Sequence, residues 1–122
     1  MFNIRKPLAA LAMFAFCAII SSPLMAADAG PRADHWDSVN AYSTDVYTLT
    51  FRAGETSRVV VRGDGDTDLD LYIYDANGNL IVADEDYTDH CICDFLPYVT
   101  SQFTIKIVNR GSVYNRYHLM SN

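Results

Sequence analysis

From Val46 onward the apolar residues of this chain recur at every second position in short runs, and turn residues close nearly every run. Val46-Tyr47-Thr48-Leu49-Thr50-Phe51 alternates and is rich in β-branched and aromatic residues. Leu69, Leu71 and Ile73 alternate with Asp70, Tyr72 and Tyr74, and Phe103, Ile105 and Ile107 alternate with Thr104 and Lys106. Successive side chains of a strand point to opposite faces, so each run buries one face and wets the other. Residues 57–62, 80–83, 90–95 and 114–119 read as further strands. Beyond residue 26 no segment of useful length carries an apolar stripe at helical spacing. The breaks between runs are turn chemistry: Arg52-Ala53-Gly54-Glu55-Thr56, Asp75-Ala76-Asn77-Gly78-Asn79 and Asn109-Arg110-Gly111-Ser112. Asn77-Gly78 supplies the positive φ of a tight hairpin. Short strands at spacings of about ten residues predict an all-β fold, an antiparallel β-sandwich or jelly roll.

The first residues read differently. Arg5 and Lys6 precede an apolar run over residues 8–20. That run is about 13 residues long, short of the roughly 20 a spanning helix needs. Ser21-Ser22-Pro23-Leu24-Met25-Ala26 then breaks it and offers small residues for cleavage. Residues 1–26 are therefore expected to be a secretory signal peptide cut after Ala26, with Ala29 as the second choice. Lipid attachment at Cys17 is disfavoured because Phe14-Ala15-Phe16 precedes it. Residues 27–44 read as a flexible mature N-terminus and residues 45–122 as one sandwich domain. The expected location is the periplasm or the exterior, with no stable membrane insertion after cleavage.

Charge narrows the partners. The whole chain has a formal net charge of −6, and loss of Arg5 and Lys6 takes it to −8. Between Arg62 and Lys106 there is no Lys or Arg, while ten Asp and Glu fall there. Such a surface repels phosphate backbones and anionic membranes. Its natural partner is a divalent cation, and the alternative is a solvated acidic face.

Gly63-Asp64-Gly65-Asp66-Thr67-Asp68-Leu69-Asp70-Leu71-Tyr72-Ile73-Tyr74-Asp75 followed by Asn77-Gly78-Asn79 resembles the bacterial pre-peptidase C-terminal domain. Phe51-Arg52-Ala53-Gly54-Glu55, Asn109-Arg110-Gly111 and Tyr114-Asn115-Arg116-Tyr117-His118-Leu119 extend the resemblance over roughly residues 45–122. Thr100-Ser101 departs from it, standing where the family's turn contains glycine. The resemblance implies a jelly-roll-like sandwich of the kind found behind the catalytic domains of secreted peptidases. It also implies calcium in some relatives and collagen binding in the domains that end bacterial collagenases. No catalytic domain accompanies it in this sequence.

Calcium takes several hard oxygen ligands. Asp66, Asp68 and Asp70 offer three carboxylates at spacing two, at the entry of the third predicted strand. A hairpin sets the start of one strand beside the end of the next, so Asp84, Glu85 and Asp86 are expected to meet them across it. These six are the candidate Ca2+ ligands. An EF-hand is excluded, because Leu69 stands where its loop requires glycine and no helices flank it. Turn capping by aspartate side chains is the competing use. Tyr72 and Tyr74 point away from the Leu69-Leu71-Ile73 face and form a candidate ligand face for a polysaccharide or a protein.

His90-Cys91-Ile92-Cys93-Asp94 has the look of a soft-metal cluster. On a strand, however, Cys91 and Cys93 share one face while His90 and Asp94 take the other. The two cysteines are expected to be small buried hydrophobes beside Phe95. Their Cα atoms, roughly 6.5–7 Å apart on one strand, are at the edge of what a disulfide tolerates. Catalytic motifs such as Gly-x-Ser-x-Gly, His-Glu-x-x-His and a phosphate-binding glycine loop are absent,. The expectation is a non-catalytic exported binding or accessory module, stabilised by calcium if the two acidic loops converge. Its alternatives are an inhibitor or chaperone-like partner of a separately encoded secreted peptidase, and a cryptic hydrolase.

Overall fold

A computed structural model describes the backbone of Asn3–Arg5 and residues 33–122 in full. The signal-peptide expectation and its cleavage sites otherwise lie outside the described residues. The strands are β1 (Asn3–Arg5), β2 (Asp34–Val39), β3 (Thr44–Phe51), β4 (Ser57–Arg62), β5 (Leu69–Tyr74), β6 (Leu80–Asp84), β7 (His90–Phe95), β8 (Ser101–Asn109) and β9 (Asn115–Ser121). They form two sheets, β1-β3-β8-β5-β6 and β2-β9-β4-β7. Every pairing is antiparallel except that of β1, which runs parallel along the edge of β3. No helix among the described residues is long and apolar enough to cross a membrane.

The all-β sandwich expectation holds, and the alternation decides which faces meet. Tyr47, Phe51, Leu71, Ile73, Ile105 and Ile107 from one sheet are fully buried against Val59, Val61, Tyr117 and Leu119 from the other. Each such side chain contributes about 1.5–3 kcal/mol by leaving water. Phe51, Phe95 and Phe103 close one end with ring centroids 5.1–5.7 Å apart, Phe51 meeting both others edge to face. Cys91 and Cys93 are free, buried and on the core face beside Phe95, as alternation predicts.

One expectation is corrected. Residues 34–39 are not a flexible lead-in: β2 pairs along its whole length with β9, from Asp34 opposite Met120 to Val39 opposite Asn115. Asp-His-Trp-Asp-Ser-Val carries almost no apolar alternation, so its strand state comes from the open edge of β9. The strand β3 likewise begins at Thr44, inside the segment expected to be flexible.

Strand directions gather the loops at two ends. One end holds the β2–β3, β4–β5, β6–β7 and β8–β9 loops. The other holds the β3–β4, β5–β6 and β7–β8 loops.

Candidate functional site

The first of these ends carries the predicted acidic cluster. The β5–β6 hairpin sets Leu71 opposite Asp84 and Tyr72 opposite Ala83, so the two acidic loops do lie side by side. Their mutual charge is felt at Asp68. Burial pushes its carboxyl above the usual carboxylate range, and Asp70 and Asp86 push it further,.

Most of the six carboxylates have other work. Asp70, 5% exposed, accepts from Arg110 Nε at 2.8 Å through Oδ2. Arg110 Nη2 also donates to the Tyr72 hydroxyl at 2.9 Å, and that hydroxyl donates to Glu85 Oε2 at 2.6 Å. Asp84 Oδ2 accepts the Ile92 amide at 2.9 Å, tying β6 to the facing sheet. Asp86 Oδ1 caps its own turn by accepting the Thr88 amide and hydroxyl, and these bonds hold its carboxyl below the usual range. The exposed Asp66 takes part through its backbone, its amide donating to Asp64 Oδ1.

Calcium needs six to eight oxygens. Among the described residues no three His, Cys, Asp or Glu side chains are grouped to hold a metal. Two of the predicted ligands keep a bare oxygen: Asp68 Oδ1 and Asp70 Oδ1 are buried and have no hydrogen-bond partner.

What knits this end is a residue that local patterning did not single out. Asn115 is fully buried at the start of β9. Its Nδ2 donates to Asp89 Oδ2 at 3.0 Å and to Thr67 Oγ1 at 3.0 Å, and its Oδ1 accepts the Asp64 amide at 3.1 Å. Asp89 Oδ2 accepts the Gly65 amide as well. Gly63 sits against this knot so closely that a Cβ would fall 2.2 Å from Asp89 Oδ2 and 2.6 Å from Asn115 Oδ1. The β4–β5 and β6–β7 loops are thereby held to the start of β9 by one amide side chain.

Tyr72 and Tyr74 stand on the outer face of the five-stranded sheet, both half-buried. Their rings stack at 6.5 Å, and Lys106 Nζ lies 4.9 Å from the Tyr74 centroid. Burial and the bond to Glu85 push the Tyr72 phenol up to about 12.

The opposite end is apolar. In the β7–β8 loop Tyr98 is 92%, Val99 68% and Leu96 50% exposed. They border a groove lined also by Phe95, Phe103 and Ile81. Pro97 O accepts the Gly54 amide at 2.9 Å, and Thr100 Oγ1 accepts the Ala53 amide at 2.9 Å, so the loop is pinned at its base and projects at its tip. Soluble proteins rarely present contiguous apolar tips without a partner for them.

The cysteines lack the character of nucleophiles. Burial pushes the Cys93 thiol up to about 12 and the Cys91 thiol higher still, and Cys91 Sγ donates to Leu69 O at 3.1 Å,.

No protein-family model and no curated protein matches the sequence. Solved structures do match the fold. The chain is similar to the pre-peptidase C-terminal domain of a collagenase from Bacillus anthracis, with a TM-score of 0.60 at 10% identity, covering 99% of this chain and 95% of that one. It is also similar to a periplasmic inhibitor of g-type lysozyme from Aeromonas hydrophila, with a TM-score of 0.58 at 15% identity, covering 98% and 96%. These likenesses establish a shared sandwich fold.

Proposed function

We propose that this chain is an exported, non-catalytic β-sandwich module that binds a protein partner through the β7–β8 loop, and that the partner is an exported hydrolase. The exposed side chains of Leu96, Tyr98 and Val99, set around the buried and pinned Pro97, carry the reading. A tyrosine and two aliphatic side chains in water, on a loop anchored at its base, make a pre-organised anchor of the kind that concentrates binding energy. Two similar folds support the class of role, one a module of a collagenase and the other an inhibitor of a lysozyme.

The test is inhibition. Purified protein is titrated into a g-type lysozyme clearing a cell suspension, and into a secreted peptidase digesting denatured collagen. One of the two activities should fall saturably. The double variant Leu96→Ser with Tyr98→Ala should lose the effect while keeping its melting temperature. If neither enzyme is slowed or bound, the hydrolase-partner reading fails.

Calcium is a second proposal, supported by the bare oxygens of Asp68 and Asp70. These two residues would hold the ion, which would offset the burial that chiefly raises Asp68 and the repulsion from Asp70 and Asp86 that adds to it. Extracellular modules bind calcium with dissociation constants of about 10⁻⁴–10⁻³ M, so millimolar calcium would raise the melting temperature only modestly. An identical melting curve in EDTA and in calcium would end this proposal.

A further inference from the structure

The outer face of the four-stranded sheet has a composition unlike the rest of the molecule. Trp36 on β2 lies opposite His118 on β9, His118 lies opposite Arg62 on β4, and Arg62 lies opposite His90 on β7. One cross-strand row therefore reads Trp36-His118-Arg62-His90. Arg116 lies one step along β9, opposite Ser38. Three acids lie at this face, each with a partner: Asp94 with Arg58, Nε to Oδ1 at 2.7 Å, Asp34 with His118, Nε2 to Oδ1 at 2.5 Å, and Asp64 of the β4–β5 loop, whose Oδ2 accepts the Arg116 amide at 2.9 Å. Arg62 and Arg116 are exposed, and no carboxylate among the described residues pairs with either. In a chain of net charge −6, this face leaves two guanidinium groups beside an exposed tryptophan without a carboxylate of their own, open to an anionic ligand.

The tryptophan is held as a platform. Its ring stacks on the His118 imidazole with centroids 4.1 Å apart and planes 7° from parallel. His118 is in turn held by Asp34. Trp36 remains 68% exposed, so one indole face rests on the imidazole while the other meets water. A flat aromatic face in water stacks against the apolar face of a sugar ring. A guanidinium fork beside it pairs with a carboxylate in bidentate fashion. Trp36 and Arg62 stand two strand spacings apart, roughly 10 Å, a distance that a disaccharide bridges.

We propose that this face binds a carboxylate-bearing polysaccharide, with Trp36 stacking on a sugar ring and Arg62 and Arg116 holding its carboxylates. A protein partner is the less favoured occupant on size. Four strands of about six residues present roughly 400 Å², about half of what each partner buries in a stable protein complex. A narrow chain needs no more. This binding goes beyond the loop-mediated function above and uses a different surface, so either can fail alone.

Trp36 is the only tryptophan in the sequence, so intrinsic indole emission reports on this face directly. The protein is titrated with oligogalacturonate, with neutral dextran and with serum albumin as an acidic protein. Oligogalacturonate should shift the emission saturably, dextran should not, and added salt should weaken the response. Arg62→Ala combined with Arg116→Ala should weaken binding roughly tenfold or more through loss of two charge-assisted contacts, at unchanged melting temperature. In Trp36→Phe, calorimetry should show the same loss of affinity for oligogalacturonate. The proposal is overturned if oligogalacturonate leaves the emission unchanged, if dextran matches it, or if the double variant binds as well as the parent. A response to albumin alone would assign the face to a protein and overturn it equally.

Discussion

Arg110 Nε donates to Asp70 Oδ2 at 2.8 Å, joining the β8–β9 turn to the buried start of β5 across forty positions of sequence. This guanidinium is the built-in counter-charge of the acidic hairpin. Asp70 is nearly buried while Arg110 stays half in water, so the arginine reaches in to a carboxylate that cannot reach out. The same guanidinium positions the Tyr72 hydroxyl, and through it Glu85.

Removing Arg110 should therefore cost more than an ordinary surface ion pair, because it strands a buried carboxylate. Arg110→Ala is expected to lower unfolding free energy by about 2 kcal/mol, measured by urea denaturation. Adding Asp70→Asn to that variant should recover part of the loss. A loss below about 0.5 kcal/mol would place the pair with common surface bridges.

Asn115 should be at least as sensitive. Asn115→Ala leaves Asp89, Thr67 and the Asp64 amide without their shared partner, and about 2–3 kcal/mol is expected to be lost. Asn115→Asp sets a second carboxylate against Asp89 and should also destabilise the fold at neutral pH, where carboxylates are ionised. Hydrogen exchange should show the Gly65 amide, bonded to Asp89, opening first in both variants.

Acid dependence should have two opposing parts. Asp75 is held low by the Asn79 amide, Asp86 by the Thr88 amide and Asp94 by Arg58. A depressed folded pKa means stability that is present above the unfolded value, near 4, and lost as pH falls through the folded one. Asp68 is raised, chiefly by burial, so it has the opposite sign and its protonation on mild acidification relieves the fold. Asp68→Asn should raise the urea midpoint at about pH 7 and lose that advantage below about pH 4, where the native carboxyl is also neutral. Asp75→Asn should lower the midpoint at about pH 7, and the difference should vanish in stronger acid.

Alkali should attack the other side of the core. The Tyr117 hydroxyl donates to Asp45 Oδ2 at 2.6 Å and shares a hydrogen bond with the Tyr47 hydroxyl at 2.5 Å, all three residues fully buried. Burial pushes both phenols well above their ordinary value. Raised folded pKa values mean stability that is complete below about pH 10 and lost as pH rises beyond it. Phenolate absorbance should then appear in the same transition as loss of β-sheet circular dichroism. Tyr117→Phe removes the donor to Asp45 and should cost about 2 kcal/mol at neutral pH.

The sandwich was legible because its cause is local. Leu69, Leu71 and Ile73 occupy one face of an extended chain whatever surrounds them, and Asn77-Gly78 turns that chain back on itself. The side-by-side placement of the two acidic loops follows from the same hairpin. The strand Asp34–Val39 was not legible, since its residues carry no period and its hydrogen bonds belong to the edge of β9. The partners of the acids were equally hidden. Arg110, Asn115 and Ile92 reach Asp70, Asp89 and Asp84 from other strands or loops, and no spacing rule links them. The stacking of Trp36 on His118 spans eighty-two positions of sequence and exists only because β2 and β9 pair. Periodicity by itself determined which faces are buried and where the chain turns, because burial of alternate side chains is a property of each strand alone. Only the tertiary structure decided which charges are neutralised, which aromatics are held as platforms and which loop is left projecting, because those depend on contacts between segments far apart in the chain.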